Sequence, residues 1–167
     1  MRRLILLRHA KTEARAPSGR DSDRALTPRG LTDARLVASH LAQMGAAPEV
    51  VLVSTALRAR QTWDCAAPLF PAARMEPCAN LYNAAPEDVA GEIARSTGEF
   101  VMVIGHNPSL QELAYSLLDE GGGTAGQIEA VSAGFPTSTA ALFHIDDNGA
   151  AVLECLVLAR DLRPSAE

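Results

Sequence analysis

Leu4-Ile5-Leu6-Leu7-Arg8-His9-Ala10 joins an apolar run of strand length to a guanidinium and an imidazole, after which the sequence turns polar. It reads as a buried strand that delivers two reactive side chains to its carboxyl end. In an open α/β sheet that edge is where ligands bind, because strand ends meet helix N-termini there. Arg8 offers a planar fork of donors suited to phosphate, and His9 can act as a neutral nucleophile near pH 7. On these residues alone, a solvated strand end explains the same pattern.

The motif recurs downstream. Val50-Val51-Leu52-Val53 is a second buried strand, followed by Ser54-Thr55 and a helix over residues 56–67 that carries Arg58 and ends at Pro68. Phe100-Val101-Met102-Val103-Ile104 is a third strand, ending in Gly105-His106-Asn107-Pro108 before a helix over residues 109–118. Between these lie a polar loop at residues 11–25, expected to cover the first strand's end, and a helix that starts with Thr27 as N-cap and Pro28 at its first position. Leu31, Ala34, Val37, Ala38 and Leu41 give that helix its apolar period, and Gly45 closes it. Residues 73–77 suit a short edge strand. Pro86 opens a helix to residue 95, with Glu87 and Asp88 in the first turn where the helix dipole favours acids. Gly121-Gly122-Gly123 reads as a flexible loop. Residues 139–145 and 151–158 flank Asp146-Asp147-Asn148-Gly149, a hairpin signal. The expected fold is a three-layer αβα sandwich over residues 1–167, one domain, its sheet mostly parallel with an antiparallel C-terminal hairpin.

Composition limits the partners. The chain has 167 residues and a formal net charge of −5, which weighs against a nucleic-acid or anionic-membrane surface. Any anion site must then be a local concentration of Arg. Cys65, Cys78 and Cys155 are odd in number and lack zinc-ligand spacing, so they read as thiols in a reducing compartment. The apolar run after Arg2-Arg3 is too short for a signal peptide or a membrane span, and a cytoplasmic monomer is expected.

Parallel strands place Arg8, His9, Arg58 and His106 on one sheet edge. Two guanidiniums and two imidazoles with no carboxylate cluster suit a dianionic phosphoryl group rather than a magnesium-nucleotide complex, so neither metal nor cofactor is expected. The backbone N–H of Asn107, at a helix start, can add a neutral donor. His40 and His144 read as surface or half-buried residues without a role. Arg60, two positions from Arg58, should face elsewhere in a surface ion pair.

This pattern resembles the histidine phosphatase superfamily, whose signature is Arg-His-Gly or Arg-His-Ala after the first strand, and within it the SixA-type phosphohistidine phosphatases. The resemblance rests on five ordered blocks: residues 6–11 around Arg8-His9-Ala10, residues 21–30 ending Leu26-Thr27-Pro28-Arg29-Gly30, residues 54–62 around Arg58, Gly105-His106-Asn107-Pro108, and Phe135-Pro136-Thr137. It implies a phosphoglycerate mutase-like fold, His9 as the nucleophile that becomes phosphorylated, Arg8 and Arg58 as clamps on the phosphoryl oxygens, and His106 completing the pocket. Many relatives carry a loop acid that protonates the leaving oxygen. Glu87 is the candidate donor here, with Asp88, Glu13, Asp21 and Asp23 as others, although Glu87 and Asp88 are also explained as helix-dipole partners. An alkoxide needs such an acid, whereas an imidazole, with a pKa of about 6.5, departs nearly unaided. The expected substrate is therefore phosphohistidine, on a protein, or another phosphoramidate. The alternatives are a small-molecule phosphomonoesterase and a phosphohistidine-binding module without turnover.

Overall fold

In the computed structural model, which describes residues 1–164, the apolar runs become strands of one six-stranded sheet. The chain runs β1 (Arg2–Arg8), α1 (Pro28–Gln43), β2 (Val50–Ser54), α2 (Leu57–Ala66), β3 (Arg74–Cys78), α3 (Pro86–Arg95), β4 (Phe100–Gly105), α4 (Ser109–Gly121), α5 (Ala125–Ala133), β5 (Thr139–Ile145), β6 (Ala151–Leu158) and a short α6 (Ala159–Leu162). The strand order is β3-β2-β4-β1-β5-β6. The first four in that order are parallel, and β5 and β6 are antiparallel additions.

Successive side chains on a strand point to opposite faces, so a continuous apolar run needs cover on both. Leu4 and Leu6 pack with α3, α4 and α5, whereas Ile5 and Leu7 pack with α1 and α2. Each such buried side chain contributes roughly 1.5–3 kcal/mol relative to exposure. Thr27 caps α1 by accepting from the Gly30 N–H at 3.0 Å. A Cβ at Gly30 would overlap the Lys11 carbonyl oxygen, so glycine lets the first loop press against this helix.

Two stretches differ from expectation. The triple glycine is no loose loop: Gly121 ends α4 against the Ala151 backbone, and Gly122 is its left-handed C-cap at φ +80°. Beyond it, α5 has no counterpart in the apolar pattern, for only Val131 of its nine residues is buried. The expected hairpin turn is present, with Gly149 donating to the Asp146 carbonyl at 3.1 Å.

The topology creates the site. From β1 the chain leaves along one face toward β2, and from β4 it leaves along the other face toward β5. Adjacent strands whose connections diverge leave a crevice at their carboxyl ends. Arg8 pairs in register with Gly105, so His9 and His106 emerge side by side.

Candidate active site

The rings of His9 and His106 have centroids 5.1 Å apart, tilted 56° to one another. Backbone pairing carries past the strand ends, since the His9 N–H donates to the Gly105 carbonyl at 3.0 Å. His9 Nδ1 lies 2.8 Å from the Ala10 carbonyl oxygen. A carbonyl only accepts, so Nδ1 carries the proton and Nε2 keeps its lone pair. His106 Nε2 meets Ser54 Oγ at 2.7 Å across from β2. Its Nδ1 is buried and unpartnered among the described residues, as is Arg8 Nε.

Each arginine of the site is anchored to a separate backbone segment. Arg8 Nη1 donates to the Phe135 carbonyl at 2.9 Å, which anchors the guanidinium to the segment after α5. Arg58, on the first turn of α2, donates to the Asp21 carbonyl (2.9 Å) and to Asp21 Oδ2 (3.0 Å). The 3₁₀ turn at Asp21–Asp23 brings this acid in over the strand end, and Tyr82 Oη donates to the same Oδ2 at 2.8 Å. Thr62, one turn beyond Arg58, accepts from the Ala10 N–H at 3.0 Å and so ties α2 to the loop that follows β1.

His9, Arg58 and His106 are each under one-tenth exposed. Burial lowers the pKa of His9 to about 4, with Arg58 and Arg8 adding to the effect against the Ala10 hydrogen bond. Burial, then His9 and Arg58, takes His106 to about 3. Burial and the charge of Arg58 also depress Arg8. Two neutral imidazoles and two guanidiniums near enough to act on them form a buried, cationic floor with an unfilled donor at Arg8 Nε, which is complementary to a tetrahedral oxyanion. The cleft above it encloses about 880 Å³.

The sequence model of the histidine phosphatase superfamily (branch 1) matches residues 4–92. The chain belongs to that superfamily. Over 143 residues it is 40% identical to an uncharacterised protein of Mycobacterium tuberculosis strain H37Rv, covering 83% of this chain and 87% of that one. The solved structure of SixA from Agrobacterium tumefaciens superposes with a TM-score of 0.83 at 31% identity, over 94% of this chain and 97% of that one. A protein histidine phosphatase SixA complexed with tungstate gives 0.81 at 26% identity, over 96% and 99% of the two chains. The fold is thus phosphoglycerate mutase-like and the activity class is phosphatase.

Two residues of this histidine phosphatase site have no legible signal in the sequence: Ser54 and Tyr82 act only through spatial neighbours. The positions of other candidates are specific. Glu87 is exposed and does not line the cleft, and Asp88 caps α3 by accepting from the Ala85 N–H at 2.9 Å. Asp21 is held to about 2 by the Tyr82 hydroxyl, then Arg24 and Arg58, so it stays ionised and holds Arg58 instead of donating a proton. Asn107 uses its side-chain amide on the Phe135 carbonyl (3.0 Å) and Gln111 Oε1 (3.2 Å), while its backbone N–H makes no bond among the described residues. Arg60 is exposed and lacks the expected ion pair among the described residues. His144 pairs with Glu154 at 2.6 Å on the terminal hairpin. No helix of the described residues is long and apolar enough to cross a membrane.

Proposed function

We propose that this phosphatase hydrolyses phosphohistidine displayed on a protein, through a phosphorylated His9. One observation carries the reading: His9 and His106 meet at the ends of neighbouring strands, 5.1 Å apart, with His9 held as the Nδ1–H tautomer. Its free Nε2 attacks phosphorus, and the substrate P–N bond breaks with its electron pair passing to the leaving ring. That ring, protonated at its other nitrogen, departs as neutral imidazole. Water then attacks the phosphoryl group on His9. The second P–N bond breaks, its pair returns to Nε2, and the water's protons stay with inorganic phosphate and solvent. Arg8 and Arg58 stabilise the charge spread over the equatorial oxygens in both steps, and the His106 imidazole completes the cradle.

Preference for a P–N bond is supported by the state of the nearby acids. Asp21 is ionised and committed to Arg58. Asp33, the one carboxylate among the described residues lining the cleft, accepts from Arg163 at 2.9 and 2.7 Å. Both carboxylates are engaged by guanidiniums, whereas an alkoxide needs an acid from the enzyme and a ring already carrying its own proton does not. Likeness to a SixA with bound tungstate, a tetrahedral oxyanion, is in keeping with the pocket's shape.

The test compares kcat/KM on a phosphohistidine-bearing protein, phosphoramidate, p-nitrophenyl phosphate and sugar phosphates, with and without EDTA. The expected result is a preference for the P–N substrates, unaffected by chelation. A strong preference for a sugar phosphate would replace this reading with a small-molecule phosphomonoesterase.

A further inference from the structure

The chain carries a formal net charge of −5, yet its cleft is lined by seven Arg and Lys side chains against the single carboxylate of Asp33. Arg8 and Arg58 belong to the phosphoryl floor. The remaining cations come from three separate segments: Lys11 and Arg24 from the first loop, Arg29 from the start of α1, and Arg160 and Arg163 from α6 and the residue after it. Two of them are already committed. Arg24 donates to Asp21 Oδ1 and the Glu13 carbonyl, both at 2.9 Å, and Arg163 holds Asp33 through Nε and Nη2.

Lys11, Arg29 and Arg160 are left available. Lys11 is exposed, with no side-chain partner among the described residues. The Arg29 side chain is 55% exposed and lies 3.7 Å from Asp33, whose charge Arg163 already meets. The Arg160 side chain is 70% exposed, with Asp161 at 3.8 Å. One phosphoryl group is satisfied by the floor, so this outer ring of positive charge, met only in part by Asp33 and Asp161, adds repulsion around it. A ligand with further negative charge outside the phosphoryl group removes that repulsion. Flexible, solvated cations on three segments do not form the fixed bidentate fork that a second phosphate calls for. They match carboxylates spread over a facing surface. The acidic remainder of the molecule would repel a long polyanion, whereas a protein can present carboxylates locally.

We propose that Lys11, Arg29 and Arg160 form a docking rim for an acidic protein face: Asp and Glu side chains flanking the phosphorylated histidine meet these cations as the phosphoryl group enters between His9 and His106. This rests on the protein-substrate reading above and adds the character of the partner. Exposed charge contacts chiefly steer encounter and fade with salt.

Peptides of equal length carrying one phosphohistidine, flanked by Asp and Glu or by Asn and Gln, provide the test. At low ionic strength kcat/KM should favour the acidic peptide by roughly fivefold to tenfold, and the gap should close by about 0.5 M salt. Combining Lys11→Gln, Arg29→Gln and Arg160→Gln should abolish the gap, while hydrolysis of phosphoramidate stays at the wild-type rate and reports an intact floor. Equal turnover of the two peptides by wild type, or a gap that survives in the triple variant, would overturn the rim. So would a preference for fructose 1,6-bisphosphate over the acidic peptide that depends on the same three cations. Phosphoserine peptides with the same flanks separate the two proposals. If they show the acidic preference and its loss while no phosphohistidine peptide is hydrolysed, the rim stands and the P–N reading falls.

Discussion

Arg58 and Arg160 line the same cleft, yet the Arg58 side chain is 8% exposed and held by Asp21 at 3.0 Å, whereas that of Arg160 is 70% exposed with its nearest carboxylate at 3.8 Å. The first is fixed before substrate arrives; the second must be ordered by it. Floor and rim therefore divide the work. Fixed, desolvated charge acts strongly on a transition state because it needs no reorganisation, while solvated charge acts weakly, at longer range, and on encounter. The floor should then govern kcat and resist salt, and the rim should govern association and yield to it.

The sharpest way to break this division is His9→Ala, which removes the proposed nucleophile. Turnover should fall by roughly 10⁴-fold or more in a steady-state assay, and wild-type-like rates would refute the assignment. Next, Arg58→Ala should cost about 3–4 kcal/mol of transition-state stabilisation, as for a lost oxyanion donor, read mainly in kcat and nearly independent of salt. A salt-dependent loss of the same size would place Arg58 with the rim.

pH separates the regions in a third way. Both histidines have folded pKa values below their unfolded value of about 6.5, so the unfolded state takes up protons first as pH falls. Stability should therefore drop from pH 6.5 downward, by roughly 1.4 kcal/mol per pH unit for each histidine, until His9 itself protonates at about 4 and His106 at about 3. The acid limb of kcat/KM should lie near pH 4 for the same reason. Denaturant titration across pH 4–7 checks the first statement, and a pH–rate profile checks the second. The smallest effect concerns the ion pair of Asp33 and Arg163 in the cleft lining. Asp33→Asn weakens the Arg163 pair that joins α1 to the chain's last described turn, and should lower stability by about 1–3 kcal/mol in denaturant melts while leaving phosphoramidate turnover near wild type.

How far the sequence reveals each region follows from the same physics. β1, β2 and β4 are legible because burial on both faces demands unbroken apolar runs, and each run stops where chemistry begins. His9, His106, Arg8 and Arg58 could be named because strand ends and the first turn of the following helix have fixed places in a parallel sheet. α5 was not legible, since it buries one residue and has almost no apolar face. Its Thr124-x-x-Gln127 capping box was the available signal, with Thr124 accepting from the Gln127 N–H at 3.3 Å. Ser54 could not be assigned to His106, because that contact depends on β2 lying beside β4, a neighbour relation that no local pattern encodes. Asp21 was visible as an acid, but whether it donates a proton or holds a guanidinium depends on where its loop folds back.

Rapid-quench mixing of the wild-type enzyme with ³²P-phosphoramidate, followed by peptide mapping of the trapped protein, tests the central chemical step most directly. Acid-labile label should appear on the peptide containing His9 within the first turnover and decay at the rate of phosphate release. Turnover with no labelled enzyme, or with label on any other residue, would contradict a reaction that passes through His9.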